Sequence, residues 1–255
     1  MEVIFLGTGT SQGVPIIGST HPVCLSTDPK DKRLRSSILI KWDKASVVID
    51  CGPDFRQQML THHIDRLDAV LFTHEHTDHI IGLDDIRPFF YRQQKDIPLY
   101  AEPWVFKALY KRFEYIFDPN NNYPGKPQFQ CHDLVENQSI DLWGKEVLPV
   151  RINHGTLPIL GFRMGDFAYF TDVKSVPENT YEKLSGVKTL VVNALRRELH
   201  PSHFSLDEAL DFISKVAPQK SYLTHISHLL GFHKEVENQL PENVFLAYDG
   251  LRINV

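Results

Sequence analysis

Apolar residues fall in short runs along this chain, and polar or turn-forming residues separate them. The first run, residues 3–6, is followed by Gly7-Thr8-Gly9-Thr10-Ser11-Gln12-Gly13-Val14-Pro15, which predicts a buried strand and then a tight loop. Gly-x-Gly by itself is a weak signal, and no Gly-Lys-Ser/Thr follows to make a phosphate-binding loop. Strands are predicted at 37–41 and 46–50, joined by a hairpin around Trp42-Asp43-Lys44-Ala45, and at 67–72. Helical spacing marks 54–62, 83–94 and 103–117. Pro88 should kink or interrupt the second of these, while Pro103 suits the first turn of the third. Residues 118–130 form a Pro/Asn/Gly-rich loop, long enough to serve as a rim over a site or simply as a surface insertion. Strands follow at 139–142, 146–152, 159–164, 167–171, 189–193 and 221–224, with a last one at 244–247. Helices are expected at 177–185, 206–216 and 231–239. Two blocks of strands, each followed by helices, suit two packed sheets with helices outside. Periodicity alone does not choose that architecture over other α/β folds.

Composition narrows the class. At 255 residues, 42% hydrophobic and 23% charged, the chain is read as one α/β domain, residues 1–255, able to bury a full core. No apolar run approaches the ~20 residues of a membrane span. The start, Met1-Glu2-Val3-Ile4-Phe5-Leu6, has no basic leader. Three cysteines, Cys24, Cys51 and Cys131, are too few and too odd for a disulfide framework. A cytoplasmic setting is therefore expected. The net charge of −5 argues against a long nucleic acid as partner, while a small anion is less constrained by it.

The chemistry concentrates in Thr73-His74-Glu75-His76-Thr77-Asp78-His79. In an extended segment, residues two apart face the same side, so His74 and His76 can share one metal. A turn then brings Asp78 and His79 round to a second. Imidazole mixed with carboxylate suits Zn, Mn or Fe better than Ca or Mg, and the lack of cysteines here favours open, catalytic metals. A second feature is His200-Pro201-Ser202-His203-Phe204-Ser205-Leu206-Asp207-Glu208. Ser205 and Glu208 have capping-box spacing, so a helix should start at Leu206. His203 then lies just before a helix N-terminus, where it can face an anion and donate a proton to a leaving oxygen.

The H-x-H-x-D-H run resembles the signature of the metallo-β-lactamase superfamily. That resemblance implies a four-layer αββα sandwich and adds later ligands: His154 in Ile152-Asn153-His154-Gly155, Asp172 in Phe170-Thr171-Asp172, and His225 in Leu223-Thr224-His225. It assigns His74, His76 and His154 to one metal and Asp78, His79 and His225 to the other, with Asp172 bridging. Two divalent ions (Zn or Mn) less these two carboxylates and a bridging hydroxide leave about one positive charge, which favours an anionic substrate. The glycine-rich opening and the spacing of His154, Asp172, His203 and His225 are similar to PhnP-like phosphodiesterases, which are related to tRNase Z. The resemblance implies hydrolysis of small cyclic phosphates, of the 2′,3′-cyclic nucleotide or cyclic ribose phosphate type, by a metal-bridging hydroxide. His203, with His200 as second choice, and the metal-holding Asp78 are the candidate catalytic residues, and a homodimer is implied.

The same family often carries a structural zinc. Here Ser19 and His21 stand where cysteines would, which leaves His21, Cys24 and His228 as candidate ligands for a third ion. Asp50, at a strand end, is expected to orient a ligand histidine. Arg87 is read as a helix-surface residue, within reach of a phosphate as the alternative. Three rivals stay open. One is a tRNase Z-like endonuclease, against which the acidic chain and the lack of a basic, Gly/Pro-rich arm both count. The others are a lactone or ester hydrolase and a regulatory protein that keeps the fold without turnover.

Overall fold

The computed structural model describes all 255 residues. The first sheet is formed by β1 (Glu2–Gly7), β2 (Ser37–Trp42), β3 (Ala45–Ile49), β4 (Ala69–Leu71), β5 (Ile97–Ala101), β6 (Phe129–Asp133) and β14 (Arg252–Asn254), in the order β14-β1-β2-β3-β4-β5-β6. The second contains β7 (Ile140–Leu142), β8 (Lys145–His154), β9 (Leu157–Met164), β10 (Phe167–Phe170), β11 (Thr189–Asn193), β12 (Lys220–Thr224) and β13 (Val244–Leu246), in the order β13-β12-β11-β10-β9-β8-β7. Pairing is parallel from β3 to β6 and from β10 to β13, and antiparallel elsewhere.

The helices are α1 (Pro22–Leu25), α2 (Phe55–Thr61), α3 (Thr77–Ile80), α4 (Arg87–Gln93), α5 (Pro103–Arg112), α6 (Glu114–Phe117), α7 (Thr180–Lys183), α8 (Leu206–Val216) and α9 (His233–Glu237).

Three apolar layers explain why the strands read as continuous hydrophobic runs. Val3, Phe5, Ile38, Ile40, Val47 and Ile49 pack between the sheets, against Leu160, Phe162 and Tyr169. Their alternates Ile4, Leu6, Leu39, Val48 and Val70 face the other way, onto Phe55, Leu83, Val105 and Leu109 of the covering helical segments. On the far side of the second sheet Val150, Ile152, Val192 and Leu223 meet Ala209, Phe212 and Ile213 of α8. Both faces of each sheet are therefore covered, the condition under which strands lose polar alternation. The result is the αββα sandwich.

Local expectations fare unevenly. α8 begins at Leu206, with both capping-box hydrogen bonds formed between Ser205 and Glu208. Pro88 does end one element: 3-10 turns cover Ile81–Ile86, and α4 starts afresh at Arg87 with the proline in its first turn. The expected helix over 103–117 breaks at Phe113 into α5 and α6. The helices expected over 177–185 and 231–239 shrink to α7 and α9. Strands β5, β6 and β14 are unforeseen, and β6 takes the end of the expected 118–130 loop. Pro98 hides β5, yet it lies ahead of the first β4 pairing at Leu99, where no ladder N–H is needed.

Candidate metal centre

Every strand that feeds the site does so from its C-terminal end. His154 is the last residue of β8, Asp50 follows β3, Asp172 comes two residues after β10, and His225 follows β12. Asp50, Asp172 and His225 have φ of 63°, 61° and 53°. Left-handed backbone is uncommon outside glycine, though Asp and His are among the residues enriched there, and its clustering here marks a functional end of the fold.

The structure brings all seven sequence-predicted ligands together. The ligand atoms of His74, His76 and His154 lie within 4.8 Å of one another, as do those of Asp78, His79 and His225. Asp172 joins the two groups: it gathers within 4.8 Å with His74 and His79 and again with His154 and His203, and its Oδ1 is 3.1 Å from His225 Nε2. Asp78 Oδ2 stands 3.2 Å from His79 Nε2. His74, His79, Asp172 and His225 are buried.

Hydrogen bonds aim these rings. Asp50 Oδ2 accepts from His79 Nδ1 at 2.7 Å, which leaves Nε2 for a metal. Asp50 also accepts from the Thr73 amide and hydroxyl, both at 2.8 Å, and the Thr73 hydroxyl sits 2.9 Å from His74 Nδ1. His154 Nδ1 donates to the Ser202 carbonyl at 2.7 Å. Thr171 donates to Asp172 Oδ2, and the Asn193 amide clamps both backbone groups of Val173, the next residue. The glycine-rich loop steadies His225 through its neighbour: Ile226 N–H donates to the Thr8 carbonyl and its own carbonyl accepts from Thr10. Gly52 lets β3 meet the ligand turn, since a Cβ there would lie 2.0 Å from the Asp78 carbonyl oxygen.

The donor set fits divalent ions. His74 Nε2, His79 Nε2 and both nitrogens of His225 are buried without a hydrogen-bond partner, a costly arrangement unless an ion completes it. Burial, then the neighbouring His79, pushes the His74 imidazole well below its ordinary value, so it is neutral as a ligand must be. Burial opposes ionisation of Asp78 and Asp172, but the surrounding histidines outweigh it, and both carboxyls are held below the usual carboxylate range.

His203 stands beside this cluster. Its Nδ1 is 3.7 Å from Asp172 Oδ1, and its ring centre lies 4.5 Å from that of His154 and 4.8 Å from that of His225. Burial, only partly offset by Asp172 and reinforced by repulsion from the neighbouring histidines, takes its imidazole down to about 2. His200 is less buried, 5.1 Å ring to ring from His203, and its Nδ1 accepts from the Ser202 amide. Elsewhere, the His21 and His228 rings meet edge-on at 4.8 Å, while Cys24 packs with Val14 and Val23. The three are not among the groups whose ligand atoms gather within 4.8 Å, so the structure does not bring them together as it does the seven. Arg87 is occupied by Asp84 and the Tyr115 hydroxyl.

Thr73, Thr171, Asn193 and the Ser202 carbonyl escaped the sequence reading. Thr73 and Thr171 each directly precede a ligand, and that adjacency was the one available signal.

Comparison with known proteins agrees with this geometry. The family model for the β-lactamase superfamily domain matches residues 45–226, more than half of the chain. A solved structure described as a new diphosphatase from the PhnP family is 40% identical, with 100% of this chain and 97% of that chain covered and a TM-score of 0.93. The chain belongs to the metallo-β-lactamase superfamily and, within it, to the PhnP-like proteins.

Among curated proteins, an octanoyltransferase of Porphyromonas gingivalis is 42% identical over 253 residues, covering 98% of this chain but 51% of that protein. The chain thus spans about half the length of that relative. Ribonuclease Z of a Mycobacterium species (strain KMS) is 24% identical, with 83% of each chain covered. Zn-bound PqqB from Methylobacterium extorquens is 18% identical over the whole of both chains with a TM-score of 0.82, a likeness of fold. No helix is long and apolar enough to cross a membrane.

Proposed function

We propose that the chain is a phosphodiesterase for small substrates, with cyclic phosphates of the nucleotide or ribose type as its class. Two divalent ions, Zn or Mn, would be held by His74, His76 and His154 and by Asp78, His79 and His225, with Asp172 shared. When bound, such a pair activates water near neutral pH and neutralises charge on a phosphoryl group. The observation that carries the reading is His203, a buried imidazole whose ligand atom gathers within 4.8 Å of those of Asp172 and His154, yet which belongs to neither the His74, His76 and His154 group nor the Asp78, His79 and His225 group.

A phosphoryl anion held at this centre would lie against this ring. Nearby negative charge favours the imidazolium. His203 would then donate its proton to the departing alkoxide, from a place just ahead of Ser205-capped α8. His200 is the alternative donor. Asp50, Thr73, Thr171 and the Ser202 carbonyl hold ligand tautomers and spacing.

The 40% identical diphosphatase of the PhnP family favours a second reading, cleavage of a phosphoanhydride by the same groups. The Ribonuclease Z relatives keep RNA as a third, though a net charge of −5 weighs against a tRNA-sized polyanion. The octanoyltransferase name is not carried over, since half of that protein lies outside the match. A cytoplasmic homodimer completes the reading, with His21, Cys24 and His228 as candidate ligands of a third, structural zinc.

The test is hydrolysis of 2′,3′-cyclic AMP and of a dinucleoside diphosphate by Zn- or Mn-loaded protein, with Asp172→Asn as control. Turnover of the cyclic ester, lost in the variant, supports the first reading. Turnover of the anhydride alone selects the second. Protein with two ions per chain that cleaves neither would overturn both.

A further inference from the structure

At the opposite end of the sandwich, the β2–β3 and β7–β8 turns enclose a cleft of about 580 Å³, lined by Lys41, Trp42, Asp43, Lys44, Trp143 and Lys145 among others. β8 runs ten residues from Lys145 to His154. At ~3.3 Å per residue, the cleft is about 30 Å from the metal centre.

Two independent features of this cleft point to a ligand. The first is backbone: Trp143 and Gly144 are the central residues of a two-residue hairpin turn, with φ of 51° and 84°. Asn or Asp suits the first of these positions, whereas a bulky aromatic there is strained. The side chain of Trp143 is also 36% exposed, so an aromatic face is open at this strained position. The second is charge. Lys41, Lys44 and Lys145 have no carboxylate within 4.0 Å, because Glu2 is taken by Arg252 at 3.1 Å. That leaves Asp43 as the one unpaired acid of the lining.

Indole faces and free ammonium groups together match a flat heteroaromatic ring that carries phosphate. We propose that this cleft is a second, non-catalytic site for a nucleoside phosphate, with the base on Trp143 and the phosphate held by the three lysines. The site is independent of whichever ester the metal centre cleaves.

The test follows the indole N–H resonances of Trp42, Trp104 and Trp143 in metal-loaded protein titrated with AMP, adenosine or inorganic phosphate. AMP should shift Trp42 and Trp143 but not Trp104, and should bind more tightly than either half-ligand. Trp143→Asn should weaken AMP by about tenfold, within the range of base–aromatic stacking. Its melting temperature should hold or rise, because Asn prefers this turn. Lys44→Ala should weaken AMP while leaving adenosine unchanged. The proposal is overturned if AMP leaves both cleft indoles unmoved, if phosphate alone binds as well as AMP, or if Trp143→Asn binds as wild type does.

Discussion

Asp50→Asn tests how the second ligand group is aimed. Asp50 is fully buried and accepts three hydrogen bonds, from the Thr73 amide, the Thr73 hydroxyl and His79 Nδ1. Its φ of 63° suits Asn as well as Asp, so the backbone has no reason to move. The amide keeps one oxygen for the Thr73 N–H and turns its NH₂ toward the other two partners. That NH₂ donates to His79 Nδ1, and the ring proton must then sit on Nε2. Nε2 is the atom facing Asp78 at 3.2 Å and Asp172 at 3.4 Å, and once protonated it cannot coordinate.

Loss of an orienting partner costs a metal site about 10–100-fold in affinity, or ~1.4–2.7 kcal/mol. A reversed tautomer puts this variant at the upper end. Calorimetric titration of chelator-stripped protein with Zn²⁺ reads both classes of site. One class should weaken by about 100-fold, while the class formed by His74, His76 and His154, which Asp50 reaches only through the Thr73 hydroxyl, should weaken less. Two undisturbed classes, or equal weakening of both, would refute the argument.

Other perturbations follow from the same geometry. Gly52→Ala drives a Cβ to 2.0 Å from the Asp78 carbonyl oxygen, so denaturant unfolding should show about 1–3 kcal/mol lost; an unchanged midpoint contradicts the close approach. His203→Gln should lower kcat by about 10²–10⁴-fold with two ions still bound, and full activity would remove His203 from proton transfer. Burial, then Arg33, lowers His233 from 6.5 to about 4, while its Nδ1 lies 3.1 Å from Arg33 Nη2. The folded value lies below the unfolded one, so this contribution is complete above pH 6.5 and is lost as pH falls through about 4. Unfolding free energy measured across that window should fall less steeply in His233→Gln than in wild type, and parallel curves would discount His233.

Some of this protein is legible because its cause is local. Ser205 and Glu208 are three residues apart and make both bonds of their capping box, so the start of α8 needs nothing from afar. The spacing of His74, His76, Asp78 and His79 gives four ligands on one turn. Later ligands were found by resemblance, because nothing within a few residues of His154, Asp172 or His225 distinguishes them from the other histidines and aspartates. Strand β6 was missed for the converse reason. Gln130, Cys131, His132 and Asp133 are exposed and have no apolar alternation, and parallel pairing with β5 alone makes them a strand.

The sequence by itself determined the two-faced apolar strands, the helix start at Leu206 and the chemistry of the metal-binding run, since each rests on contacts within a few residues. Tertiary structure decided which side chains converge and what aims them. His154 takes its tautomer from Ser202, 48 residues on, and His79 takes its own from Asp50, 29 residues back. The backbone beside His225 is steadied by Thr8 and Thr10 near the start of the chain. These partners are fixed by strand order and register, which depend on how two complete sheets bury their faces, and no local propensity encodes them.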